Sequence, residues 1–180
     1  MLKSNKCCIF AVKLLIFLLF VNKEVLQVIM DTYVIERFLT AQDNPPEGCG
    51  SYEQALSEMK SGRKTGHWMW YVFPQIQGLG HSGLSKKFGI DSVNEVKAYY
   101  NHPVLRARMN EILTVILNSK EGILTLMGSE IDARKFLSCM TLFEYATQEQ
   151  IFRDVIEKKC WGSYCKQTLR MIRMTQSDNQ

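Results

Sequence analysis

The chain holds 180 residues, 46% of them hydrophobic and 22% charged, with 11 glycines and four prolines; that balance excludes a disordered, collagenous or low-complexity polymer and implies one globular domain. A chain of this length buries about two-thirds of the surface its unfolded form exposes, so folding requires neither a disulfide nor a metal. The formal charge of +4 sits mostly at the front, where Lys3, Lys6, Lys13 and Lys23 face Glu24 alone, and residues 30–180 are left with +1, so no general nucleic-acid binding is expected and any anion site must be local.

Residues 7–21 read CCIFAVKLLIFLLFV, fourteen apolar residues in fifteen. The stretch looks like a signal sequence, yet Lys13 interrupts it, it is shorter than the ~20 residues that span a bilayer, and no small-x-small cleavage site follows. Three readings stand: a signal peptide or anchor, an amphipathic extension packed on the domain, or a stretch upstream of a functional start at Met30. The third is preferred, because the first well-patterned helix begins just after Met30. Residues 1–29 are therefore expected outside the domain, residues 30–175 within it, and residues 176–180 as a disordered tail. Membrane association is expected only if residues 1–29 act as an anchor. The expected location is the cytoplasm, with membrane anchoring or secretion through residues 7–21 as the alternative.

From Asp31 the apolar period is helical, with Val34, Ile35, Phe38 and Leu39 on one face and Gln42 a turn further. The turn formers of residues 43–48 end this helix. Ser51-Tyr52-Glu53-Gln54 reads as a capping box, Ala55, Leu56 and Met59 form a buried stripe, and Gly62 is the stop. Residues 62–83 show no period. Ser92-Val93-Asn94-Glu95 caps a helix through Val96 and Tyr99, and Pro103 opens a long one with a stripe of Val104, Leu105, Met109, Ile112, Val115 and Ile116. Residues 122–127 read as a turn, Ile131, Phe136, Leu137, Met140, Phe143 and Tyr145 mark a helix ending near Thr147, and residues 148–159 and 164–173 read as two last helices. With no strand ladder or internal repeat, the expectation is an all-α fold, a single compact domain of about six to eight helices.

The cysteines, Cys7, Cys8, Cys49, Cys139, Cys160 and Cys165, form no CxxC pair, and no HxxxH accompanies them, so no metal and no cofactor are expected. They read as reduced, Cys139 as a buried thiol; a Cys160–Cys165 bridge under oxidation is the alternative.

Gly62-Arg63-Lys64, His67-Trp68-Met69-Trp70, Phe73-Pro74-Gln75 and Gly78-Leu79-Gly80 occur in order within residues 62–83. The helix of Tyr52, Ala55 and Leu56, the run His102-Pro103-Val104-Leu105, Lys135, Ser138, Met140-Thr141-Leu142-Phe143 and Phe152 accompany them. On these motifs, from about Thr32 to Ile172, the chain resembles the DUF1810 family, an uncharacterised group often mislabelled calpastatin. The resemblance implies an all-helical fold and says hardly anything of an activity. The chain departs from the family's usual pattern at Gly66 and Cys139, where Ser is common, and at Trp161-Gly162-Ser163-Tyr164, which replaces a Gly-rich turn.

Setting Arg63, Lys64 and His67 among two Trp and a Phe desolvates polar heads unless each finds a partner. The expected site is a cleft for a small anionic, phosphate- or nucleotide-like ligand. Arg63, Lys64 and Lys135 would supply donors, Trp68 or Trp70 a ring face, and Gln75 a directional hydrogen bond, while Thr141 would help close the pocket. Should there be catalysis, His67 is the candidate for proton transfer, since its ordinary pKa lies near neutrality. The opposing reading is a non-catalytic protein-interaction module in which Trp68, Trp70, Val72 and Phe73 are only core, Arg63 and Lys64 are solvated, and Lys135 pairs with Glu130, Asp132 or Glu144.

Overall fold

The computed structural model describes residues 23–177. A boundary between two compact units falls between Val34 and Ile35. In order, the helices are α1 Lys23–Asp43, α2 Tyr52–Lys60, α3 Met69–Val72, α4 Gly83–Phe88, α5 Val93–Asn101, α6 Pro103–Asn118, α7 Ile123–Met127, α8 Glu130–Thr147, α9 Gln150–Lys159 and α10 Lys166–Ser177. The apolar run at residues 7–21 lies outside the described residues. Among those described, no helix is long and apolar enough to cross a membrane.

The fold is all-helical, but the count corrects the expected six to eight: ten helices stand among the described residues. The excess is α3, α4 and α7, of four, six and five residues. An element of one turn shows no 3.6-residue period, so pattern reading passes over it. Helix α1 takes in residues ahead of Asp31, where the apolar period places its start, and α10 includes Ser177.

Serine caps start several of these helices. Ser51, Ser82, Ser92 and Ser129 each accept the N–H three residues on, at 3.1–3.2 Å, satisfying one of the orphan donors of a first turn. Among the described residues one parallel bridge, between Ile76 and Ile90, stands in place of a sheet. There the Ile90 N–H donates to Gln75 O at 2.9 Å and the Gln77 N–H to Ile90 O at 2.8 Å.

Helix α8 is the axis of the domain, packing against α3, α5, α7, α9 and α10. All six residues from Ser138 to Phe143 are buried, as expected of a helix surrounded on every side. Aromatic rings tie the neighbours to it: Phe136 meets Phe73 at 4.8 Å, and Phe143 meets Tyr99 at 5.3 Å and Phe152 at 5.4 Å. Burying the hydroxyls of Ser138 and Thr141 in such a helix requires partners for both. They find them at the other wall of the domain. Ser138 Oγ lies 2.7 Å from Thr168 Oγ1, and Thr141 Oγ1 accepts the Cys165 N–H at 2.9 Å. These two bonds pin the start of α10 to α8.

Candidate functional site

After α2 the chain folds back around one carboxylate. Glu58 accepts the N–H groups of Thr65 (2.8 Å) and Gly66 (2.9 Å) and the indole N–H of Trp68 (2.8 Å). Burial raises the pKa of Glu58, but these donors outweigh it and hold the carboxyl below its ordinary value. Trp68 is thereby fixed in the core, fully buried. Gly66 has to be small here, because a Cβ would lie 2.9 Å from Glu58 Oε1 and 3.0 Å from Trp68 Cδ1.

The loop then docks on α7, the Lys64 N–H donating to Leu126 O at 2.7 Å. From there the Lys64 side chain, 8% exposed, reaches Asp132 Oδ2 at 2.6 Å. Lys135, 25% exposed, meets Asp132 Oδ1 at 2.8 Å. The ammonium groups lie near indole rings, Lys64 5.3 Å from that of Trp68 and Lys135 4.9 Å from that of Trp70, within cation–π range. Burial pushes the Asp132 pKa up, but the hydrogen bonds from Lys135 and Lys64 overcome it and leave the carboxyl below its ordinary value. Two cations share one carboxylate, so one positive charge is left over. Ser129 sets this up locally: its side chain accepts the Asp132 N–H and caps α8, placing Asp132 in a first turn where negative charge is favoured.

Lys135 opens onto a cleft of about 750 Å³ between α8, the segment after α3, and the α9–α10 connection. Trp70, Gln75, Ser138, Lys135, Trp161, Tyr164, Cys165 and Lys166 are among its lining residues. Trp70 is held from beneath by Gly80, where a Cβ would come within 2.6 Å of the indole. Gln75 is 1% exposed; its Nε2 makes one long bond, 3.4 Å, to Phe73 O, and its Oε1 is buried with no partner. An orphaned amide oxygen in a folded core costs about 1–3 kcal/mol, and this one belongs to a cleft wall.

The opposite rim carries a second irregularity. Trp161 is 56% exposed and has φ 59°, in the left-handed region that glycine normally fills after a helix. A bulky residue there costs about 1–2 kcal/mol, and strain of this kind clusters where a ligand is held. Tyr164, also exposed, stands beside it in the lining. A second depression, lined in part by Tyr100, Glu144 and Arg153, contains an ion pair, Arg153 Nε lying 2.9 Å from Glu144 Oε1.

Of the residues singled out in the sequence, the structure brings Trp70, Gln75 and Lys135 together on the cleft and sets Lys64 behind them through Asp132. Arg63 and His67 are exposed and off the lining. Trp68 is core. Thr141 lies beneath the wall, where its hydroxyl holds Cys165 rather than facing the cavity. Sequence reading passed over Glu58, Trp161, Tyr164 and Lys166. Nothing in the sequence around Glu58 marks it as a clamp, whereas the replacement of a Gly-rich turn by one containing Trp161 is a signal that points to this rim. Cys49, Cys139, Cys160 and Cys165 are free thiols, and burial pushes Cys160 up to about 12. No group of three or more His, Cys, Asp or Glu able to hold a metal ion occurs among the described residues.

Comparison with known proteins adds a lineage without an activity. The sequence pattern of the family described as "Protein of unknown function (DUF1810)" matches residues 32–172. The crystal structure of the conserved hypothetical protein Rv1873 from Mycobacterium tuberculosis is similar with a TM-score of 0.70 and 35% sequence identity, covering 77% of this chain and 96% of that one. No curated protein matches.

Proposed function

The chain belongs to the DUF1810 family of proteins of unknown function, and from the cleft we propose that it binds a small anionic, nucleotide-like ligand between Trp70, Gln75 and Lys135 on one side and Trp161 and Tyr164 on the other. The observation that carries this reading is the Gln75 amide, buried in the cleft wall with an unpartnered oxygen, which a ligand N–H would satisfy. Exposed rings at Trp161 and Tyr164 offer faces for a planar base. The surplus positive charge of the Lys64–Asp132–Lys135 group, reinforced by Lys166, favours a phosphate at the same mouth. The proposal is of binding: His67, the candidate for proton transfer, stands off the lining. Free thiols support a reducing compartment, and we place the domain in the cytoplasm on that ground.

Thermal-shift screening against nucleoside monophosphates and sugar phosphates tests the reading. A ligand at a hundred times its Kd stabilises by about 2.7 kcal/mol, and that gain should vanish in Gln75→Leu and Lys135→Met. A screen in which no anionic ligand raises Tm, or in which both variants respond like the parent, would overturn it. The apolar rim of Leu124 and Ile131, both exposed, favours the interaction module as the second reading, and an empty screen is the result it predicts.

A further inference from the structure

Lys166 lines a second groove as well, of about 450 Å³ along α10, whose described lining includes Leu169, Arg170, Arg173 and Met174. Lys166, Arg170 and Arg173 are exposed and have no ion pair with a carboxylate among the described residues. By contrast, Arg134 in the cleft wall is held by Glu130 at 2.6 Å and Arg153 by Glu144 at 2.9 Å. Positions 166, 170 and 173 follow the i, i+4, i+7 spacing of one helix face, and at 1.5 Å per residue they span about 10 Å. A row of three exposed cations, none paired with a carboxylate among the described residues, leading away from an aromatic cleft is complementary to a row of phosphates.

Resting on the proposed nucleotide cleft, we propose that the physiological ligand is single-stranded nucleic acid, with one unpaired base held in the cleft and the following phosphodiesters laid along Lys166, Arg170 and Arg173. A mononucleotide carries its charge at one end and cannot engage heads spread over about 10 Å. A duplex keeps its bases stacked and paired, out of reach of the cleft ring faces. Aromatic stacking followed by a basic track is the way single strands are held without sequence readout. The near-neutral remainder of the domain restricts the contact to a few nucleotides.

The test measures binding of the full chain, by intrinsic tryptophan fluorescence, to four probes: a mixture of the four ribonucleoside 5′-monophosphates, a single-stranded RNA hexamer, a single-stranded DNA hexamer, and the same DNA hexamer as a blunt duplex. Either hexamer is expected to bind at least tenfold more tightly than the mononucleotides and the duplex, and the two single strands report which sugar is preferred. In the double variant Arg170→Gln with Arg173→Gln, hexamer affinity should fall about tenfold. Its log–log salt dependence should become shallower by about 1.4, the value for two lost phosphate contacts at about 0.7 each, while mononucleotide affinity stays within twofold. If mononucleotides bind but hexamers bind no better, or if the double variant weakens both equally, this inference fails and the cleft reading survives. If neither mononucleotide nor hexamer binds, both fail. Equal affinity for duplex and single strand would also overturn the inference.

Discussion

Two regions of this domain are built from the same kinds of residue and end differently. Around Trp68, the carboxylate of Glu58 meets the indole N–H and two backbone N–H groups, and the ring is fully buried. Around Trp70 the ring sits beside Lys135, yet Gln75 keeps a buried oxygen without a partner and Trp161 stands exposed in a left-handed conformation. Nothing in residue type separates them. The difference is whether polar groups are satisfied by the chain itself: a closed cluster stabilises the fold, while an open one stores cost that only an outside partner can relieve.

This contrast can be broken by substitution. The largest effect is expected at Glu58→Ala, which strands the indole N–H of Trp68 and two backbone donors; denaturant titration should register a loss of about 2–3 kcal/mol, with no dependence on ligand. A loss under 0.5 kcal/mol would mean that the clamp is incidental.

Acid should act on Glu58 and on Asp132, the carboxylate between Lys64 and Lys135. Glu58 and Asp132 titrate below their ordinary 4.5 and 3.8 in the folded protein, so the unfolded chain binds more protons and stability rises with pH through this window. Their contribution is complete above about pH 4.5 and is lost as the pH falls through the lower folded values. Melting temperatures from pH 6 to pH 3 should therefore drop less steeply in Glu58→Gln than in the parent, starting from a lower value at pH 6.

Thr141→Val removes the acceptor for the Cys165 N–H and should cost about 1 kcal/mol, with Thr141→Ser restoring it. On the open side, the signs reverse. Gln75→Leu exchanges an unpaired buried amide for an apolar group of similar size, so thermal denaturation should show stability unchanged or raised by up to about 1 kcal/mol, accompanied by loss of ligand response. Smallest is Trp161→Gly, which relieves the left-handed strain against the greater freedom of unfolded glycine. A net gain of about 0.5 kcal/mol is expected, while a stacked ligand would bind about tenfold more weakly. Destabilisation in both would place them with Trp68, as structure.

Much of the fold was legible locally. Ser51 and Ser92 announced helix starts and Gly62 a stop at φ 86°; the stripe of α6 gave Leu105, Met109, Ile112 and Ile116 as buried but also Val104, which is exposed, and in α8 Ile131 and Tyr145 stand exposed while Phe136, Met140 and Phe143 are buried. Single-turn helices escaped because they are shorter than the period by which a helix is recognised. For the site, Lys135 stood out as a cation in an apolar helix, and Asp132 was named among its partners. What could not be seen was that Lys64, 68 positions earlier, reaches the same carboxylate, or that Arg63 beside it turns to solvent. Adjacent residues of a loop differ in direction by its backbone path, and that path depends on where the Lys64 N–H finds Leu126 O and where Glu58 gathers Thr65 and Gly66.

Sequence by itself determined the helical class, the family and the residue types gathered between Gly62 and Gly80, because capping, periodicity and motif order are short-range properties written along the chain. Tertiary structure alone decided which tryptophan is sealed and which borders a cavity, and brought the Trp161–Lys166 connection against Trp70 through hydroxyls on a buried helix. The physical reason is that satisfaction of a polar group is a property of its surroundings in space: Gln75 has the same side chain in any context, and only the packed neighbours leave its oxygen without a donor.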